Sequence, residues 1–150
     1  MTGKLHSALD ALAALSVTGV KHSYSVNAVP ERLGRATLPV LLTLPMLDGG
    51  GLRKRDEFEM IAPTGSIAVA VYWITHMLLY APVGQYRNAA SALPGLTDLI
   101  DNYALTIRAN SRLGSLLYLP ISYVCLPGDV TWGGVIYLGA RMVLRLVVET

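Results

Sequence analysis

The residues able to do chemistry are few and scattered. His6, His22 and His76 lie far apart and form no His-x-x-x-His pair, the spacing that sets two imidazoles on one helix face around a metal. Cys125 is the single cysteine, which excludes an intramolecular disulfide framework and a Cys-cluster zinc site. It stands in the apolar run Ile121-Ser-Tyr-Val-Cys-Leu126 and reads as a buried, inert thiol, because a nucleophilic cysteine needs a base beside it. His76 sits among aromatic and aliphatic residues and reads as a core or interface histidine. No Gly-x-x-x-x-Gly-Lys-Ser/Thr loop, no Gly-x-Gly-x-x-Gly after a strand and no Gly-x-Ser-x-Gly elbow is present. The triple glycine Gly49–Gly51 leads into Leu52-Arg-Lys-Arg55 and not into a hydrophobic helix, so it lacks the context of a phosphate cradle. The expectation is a protein with no catalytic site, no cofactor and no metal.

Charged residues offer contacts instead. Arg53, Lys54 and Arg55 stand beside Asp56, Glu57 and Glu59. The pattern fits a solvated loop with local ion pairs, or a contact loop that meets a partner of opposite charge. Arg141 and Arg145 share one face of a C-terminal strand, which faces solvent, another subunit or a central channel. Tyr137 lies on the same strand and joins them as a candidate contact. Eight tyrosines and two tryptophans accompany one phenylalanine, a balance that favours amphipathic rings of the kind enriched at interfaces.

The composition agrees. The chain has 150 residues, 53% hydrophobic and 15% charged, with a formal net charge of +2 and a mean hydropathy of +0.47. Soluble domains carry about 25% charged residues. Disorder is excluded, since it requires low hydrophobicity and high charge. A nucleic-acid reader acting through bulk charge is disfavoured. Either a membrane or other subunits must take up the apolar surplus. The longest charge-free stretch, Ile61–Tyr86, is long enough to span a bilayer. Pro63, Gly65, Pro82 and Gly84 interrupt it, and its Val, Ile, Tyr, Trp and Thr content favours a strand. A signal peptide is not indicated, because Asp10 breaks the apolar run after Lys4 and the pattern there is amphipathic.

Positioning these residues requires one α+β domain over 1–150, an antiparallel or mixed sheet with two helices packed on one face. Leu5, Ala8, Leu9, Leu12 and Leu15 predict a helix over 3–17, with Thr2 as N-cap and Gly19 as its stop. Val20–Val26 reads as a short strand and Val40–Leu44 as a buried one. Residues 48–56 form an exposed basic Gly-rich loop. A further short strand is expected at Glu57–Ile61 and a long one over 67–80. Leu96, Leu99, Ile100, Tyr103 and Ile107 stripe a second helix beginning at Leu93, with Ser91 as N-cap. A strand over Ile121–Leu126 and a turn at Pro127–Gly134 precede the strict alternation of Leu138, Ala140, Met142, Leu144, Leu146 and Val148 with mixed neighbours, a period-two strand. The strands over 67–80 and 137–148 are expected at the sheet centre.

Several segments together resemble the tail terminator, or tail-completion, proteins of long-tailed bacteriophages. They are the N-terminal helix and strand followed by Ala36-Thr-Leu-Pro-Val-Leu-Leu-Thr-Leu-Pro45, the apolar strand ending in Leu78-Leu-Tyr-Ala-Pro82, the segment Leu93-Pro-Gly-Leu-Thr-Asp-Leu-Ile-Asp-Asn-Tyr103, and the closing Trp132–Glu149. Residues 48–56 have no counterpart in that pattern. The resemblance implies a structural virion protein, assembled in the host cytoplasm and located at the tail neck. Its protomers would form a homo-oligomeric ring, by this resemblance a hexamer, that ends tail-tube polymerisation. The implied partners are the tail tube protein and the head–tail connector, with DNA as non-specific passing cargo and no membrane. Another head–tail joining protein or a tube subunit stands as the alternative, and a small membrane protein as the alternative from a different class.

The basic loop yields a direct test. Replacing Arg53, Lys54 and Arg55 together by alanine should leave folding intact and weaken only partner contact. Unchanged assembly and infectivity in that variant would show the loop to be inert.

Overall fold

The computed structural model describes residues 4–45, 59–61, 69–85 and 89–149. Helix α1 (Lys4–Ala13) and helix α2 (Leu93–Ala109) are joined by strands β1 (His22–Tyr24), β2 (Val40–Leu44), β3 (Glu59–Ile61) and β4 (Val69–Pro82). Strands β5 (Ser122–Trp132) and β6 (Val135–Glu149) close the chain. The class is α+β, with a mixed sheet in the order β1-β2-β4-β6-β5 and β3 pairing with β4 off that path. The mixture arises at one edge, where β1 runs parallel to β2 while every other pairing is antiparallel.

The central ladder is β4–β6, in register from Val69 opposite Glu149 to Pro82 opposite Tyr137. Both strands lie inside the sheet, as the uninterrupted apolar run and the strict alternation predict. The register slips between Leu79 and Ala81, so Tyr80 is an extra residue, a bulge that bends the strand. Gly139 stands opposite Leu79 at this point. A Cβ there would strike the Leu78 carbonyl oxygen, which is why the alternation admits a glycine.

Both helices pack on one face of this ladder. Ala8, Leu9 and Leu12 of α1 join Leu96, Leu99, Tyr103 and Ile107 of α2 in one cluster with Leu41, Ile74, Leu78, Met142, Leu144 and Leu146 of the sheet. Fully burying each leucine contributes about 1.5–3 kcal/mol, so the helices are held mainly by this shared layer. Polar ties fix their ends. The Lys4 ammonium donates to the Glu149 carbonyl, and the Asn102 side-chain amide donates to the Thr18 carbonyl at 2.9 Å. The opposite face carries a smaller cluster of Val40, Leu42, Leu44, Met77, Leu79, Val130 and Tyr137, with Val29, Leu33 and Trp132 against it. Trp132 Nε1 donates to the Pro30 carbonyl at 2.9 Å, pinning the 25–38 connection across that end of the sheet.

Four local expectations are corrected. Helix α1 ends at Ala13, where the Leu15 N–H turns back to the Leu12 carbonyl, and Val17 enters the core from the following turn. Strand β1 spans three residues because only His22–Tyr24 find ladder partners on β2. The N-cap of α2 is Ala92, not Ser91, which lies in a 3-10 turn feeding directly into the helix. The segment 127–132 continues β5, because an edge strand tolerates a proline that the interior of a sheet would exclude. The reversal is confined to Gly133 and Gly134, at φ +59° and +78°, the left-handed pair that a two-residue hairpin turn requires. Thr2 and the loop over 48–56 lie outside the described residues.

Among the described residues, no helix is long and apolar enough to cross a membrane. Within the long apolar run of the sequence, Val69–Pro82 form β4, buried along most of its length.

Leu144 lies at the centre of the helix-covered face and is fully buried. Leu144→Ala should lower unfolding free energy by about 2–5 kcal/mol in urea titration. Leu144→Asp, which also buries a charge, should abolish folding as followed by far-ultraviolet circular dichroism.

Candidate functional site

Two arrangements emerge from the sheet, one buried under α2 and one on the face the helices leave uncovered. The buried one begins at β4. Alternation turns His76 toward α2, where its Nδ1 lies 3.1 Å from the Tyr103 hydroxyl. The two rings meet edge to face at 5.4 Å between centroids, and Tyr103 meets Tyr123 of β5 likewise at 5.6 Å. Cys125 lies two residues further along the same face of β5, opposite Met142. Thr43 of β2 is the cross-strand partner of His76 and is also fully buried. Neither Thr43 Oγ1 nor His76 Nε2 has a hydrogen-bond partner.

This cluster is electrically neutral near pH 7. His76 is 0% exposed, and removal from water lowers its pKa to about 4. Burial raises the Tyr103 hydroxyl well above the usual tyrosine range, with Tyr123 and Cys125 adding to the shift. Tyr123 is raised by burial and then by Cys125. The Cys125 thiol is raised by burial, the direction opposite to thiolate activation. The cluster therefore joins sheet to helix through a neutral hydrogen bond and edge-to-face ring contacts. Among the described residues, no group of three His, Cys, Asp or Glu gathers to hold a metal.

The second arrangement lies on the other side of the sheet. Arg141, Val143 and Arg145 of β6 stand opposite Leu126, Val124 and Ser122 of β5. On their inner flank they face Met77, Thr75 and Trp73 of β4. Burial decreases outward across these rows. Met77 and Thr75 are buried, Arg141, Val143 and Arg145 are half-buried, and Val124 and Leu126 are 55% and 44% exposed. Among the described residues neither guanidinium has an ion-pair partner. Two guanidiniums without an ion-pair partner among the described residues thus lie beside an exposed aliphatic stripe on a sheet edge.

Tyr137 does not belong to this surface. It is 2% exposed and packs within the smaller cluster opposite Val130, because the 25–38 connection covers its end of the sheet. Its candidacy as a contact residue is corrected to a core role. Arg53, Lys54 and Arg55 lie outside the described residues. Sequence reasoning missed Val124 and Leu126, although the alternation of Ser122, Val124 and Leu126 with Tyr123 and Cys125 carried the signal. A cleft of about 640 Å³ between α2 and the start of β5 was also not foreseen. It is lined by Asp101, Leu105, Arg108, Ile121 and Tyr123 among others.

No protein-family model, curated protein or solved structure matches the chain.

The buried imidazole sets a pH dependence. Its folded pKa near 4 lies below the unfolded value of 6.5, so both states are neutral at higher pH. As pH falls from 6.5 to 4, the unfolded chain takes up a proton that the folded chain refuses. Stability should drop by about 1.4 kcal/mol per pH unit in that window. Urea titrations at pH 7.5 and 4.5 should therefore differ by about 2–3 kcal/mol in wild type. His76→Gln, which does not titrate, should show a shallower pH slope whatever its absolute stability. An equal slope would remove His76 as the source.

Proposed function

We propose that this protein is a structural ring component of a phage tail–neck junction. It ends the growing tail tube and joins it to the head connector, with DNA passing through the ring and no membrane engaged. The resemblance of its ordered segments to tail terminator proteins supports the reading. The single structural observation that favours it is the helix-free sheet face at β5–β6, where Val124 and Leu126 lie exposed beside Arg141 and Arg145, which have no ion-pair partner among the described residues. Soluble monomers rarely leave such a patch on a sheet edge without a partner.

A ring formed by heterologous contacts buries two different patches on every protomer. That gives a low-charge chain a place to hide apolar surface without a larger core. The neutral, hydrogen-bonded cluster at His76 suits a scaffold, since it rigidifies the join between sheet and α2 and carries no free charge.

Electron microscopy of the purified protein, alone and with tail tube protein, tests the proposal. The expected outcome is closed rings that cap tube ends and do not extend. Open-ended polymerisation would instead indicate a tube subunit, and a strict monomer without affinity for tube or connector would overturn the ring.

A further inference from the structure

Helix α2 carries an exposed face complementary to the arginine stripe. Asp98 and Asp101 are exposed one turn apart, and Leu105, one turn further on, is 61% exposed. Among the described residues neither carboxylate has an ion-pair partner. Among the described residues, the helix face thus presents two carboxylates without an ion-pair partner and one aliphatic knob, with exposed Arg108 one turn beyond Leu105 at its C-terminal end. Among the described residues, the β5–β6 face presents two guanidiniums without an ion-pair partner and an aliphatic strip at Val124 and Leu126. They lie on opposite layers of the protomer, so one copy cannot satisfy itself.

We infer that the α2 face of one protomer docks on the β5–β6 face of a second copy. The joint sets Asp98 and Asp101 against Arg141 and Arg145, and Leu105 against Val124 and Leu126. It rests on the ring reading above and identifies the two patches that reading requires. Arg141 and Arg145 are about 13 Å apart along an extended strand and the carboxylates about 5 Å apart along the helix, so in the joint the two long arginine side chains must reach inward over Val143. The contact is heterologous, because helix meets sheet and never its own image. Such contacts form a ring where the rotation between copies closes and an open filament where it does not. The charge pairing fixes orientation and register, while Leu105 and the aliphatic strip exclude water from it.

A charge-swap experiment on the full chain tests the joint by sedimentation velocity over a concentration series. Asp98→Arg/Asp101→Arg and Arg141→Asp/Arg145→Asp should each weaken association about a hundredfold or more. Mixing the two variants should restore it to within a few fold of wild type. Wild-type association should also weaken as salt is raised. Arg141 and Arg145 are half-buried, so Arg141→Gln/Arg145→Gln serves as a second variant that removes charge with little change in shape. It should weaken association about tenfold or more, with the urea midpoint unchanged. Wild-type oligomers unaffected by these changes would overturn the joint and leave the ring reading standing on another surface. Two broken variants that fail to complement would show that the patches do not face each other, and would also overturn it. A wild type that stays monomeric throughout would overturn both the joint and the ring.

Discussion

The β4–β6 ladder is the constraint on which the rest of the structure depends. Its long antiparallel register decides which side chains face the helices and which face away. Ile74, His76 and Leu78 align with Leu144, Met142 and Ala140 on one side. Met77, Thr75 and Trp73 align with Arg141, Val143 and Arg145 on the other. A one-residue slip would exchange the two sets. It would bury two guanidiniums under the helices and expose the leucines. The apolar face of β6 is dense enough to make that exchange prohibitive, so the register is strongly specified.

From this ladder follows the asymmetry of the molecule. One sheet face receives both helices, and among the described residues the 25–38 connection crosses the other. Trp132 fastens that crossing through Pro30. Gly133 permits it by close approach, since a Cβ there would meet the Glu31 carbonyl. Beyond the crossing, the face opens toward β5, and exposure rises from Met77 through Arg141 to Leu126. On this face the gradient places exposed Val124 and Leu126 and half-buried Arg141 and Arg145 toward one edge. A surface patch so confined is suited to a directional contact rather than to diffuse stickiness.

The buried cluster at His76 follows from the same alternation. A histidine on the helix-covered face has no access to water, so it stays neutral and takes its one observed hydrogen-bond contact from Tyr103. A buried hydrogen bond of this kind adds little net stability, about 1 kcal/mol, yet leaving it unmade would be costly. Its effect is therefore to discriminate among ways of seating α2. Helix rotations that remove the Tyr103 hydroxyl from His76 leave both groups unpaired in an apolar layer.

Much of the fold was legible in the residues themselves. The i, i+3, i+4, i+7 stripe from Leu96 to Ile107 and the alternation from Tyr137 to Glu149 are local periodicities, and burial follows them directly. The apolar run in β4 revealed its strand character through β-branched and aromatic residues. Local pattern could not say that Pro127 and Gly128 continue a strand, because whether a proline is tolerated depends on the strand's place at an edge. Nor could it show that Tyr137 is buried while Arg141, four residues on along the same face, is half-exposed. That difference is made by the 25–38 connection, distant in sequence. Sequence alone therefore determined the elements, their apolar faces and the surplus of hydrophobic surface. Only the tertiary structure decided where that surplus stays exposed, because exposure depends on which distant segment crosses each face of the sheet.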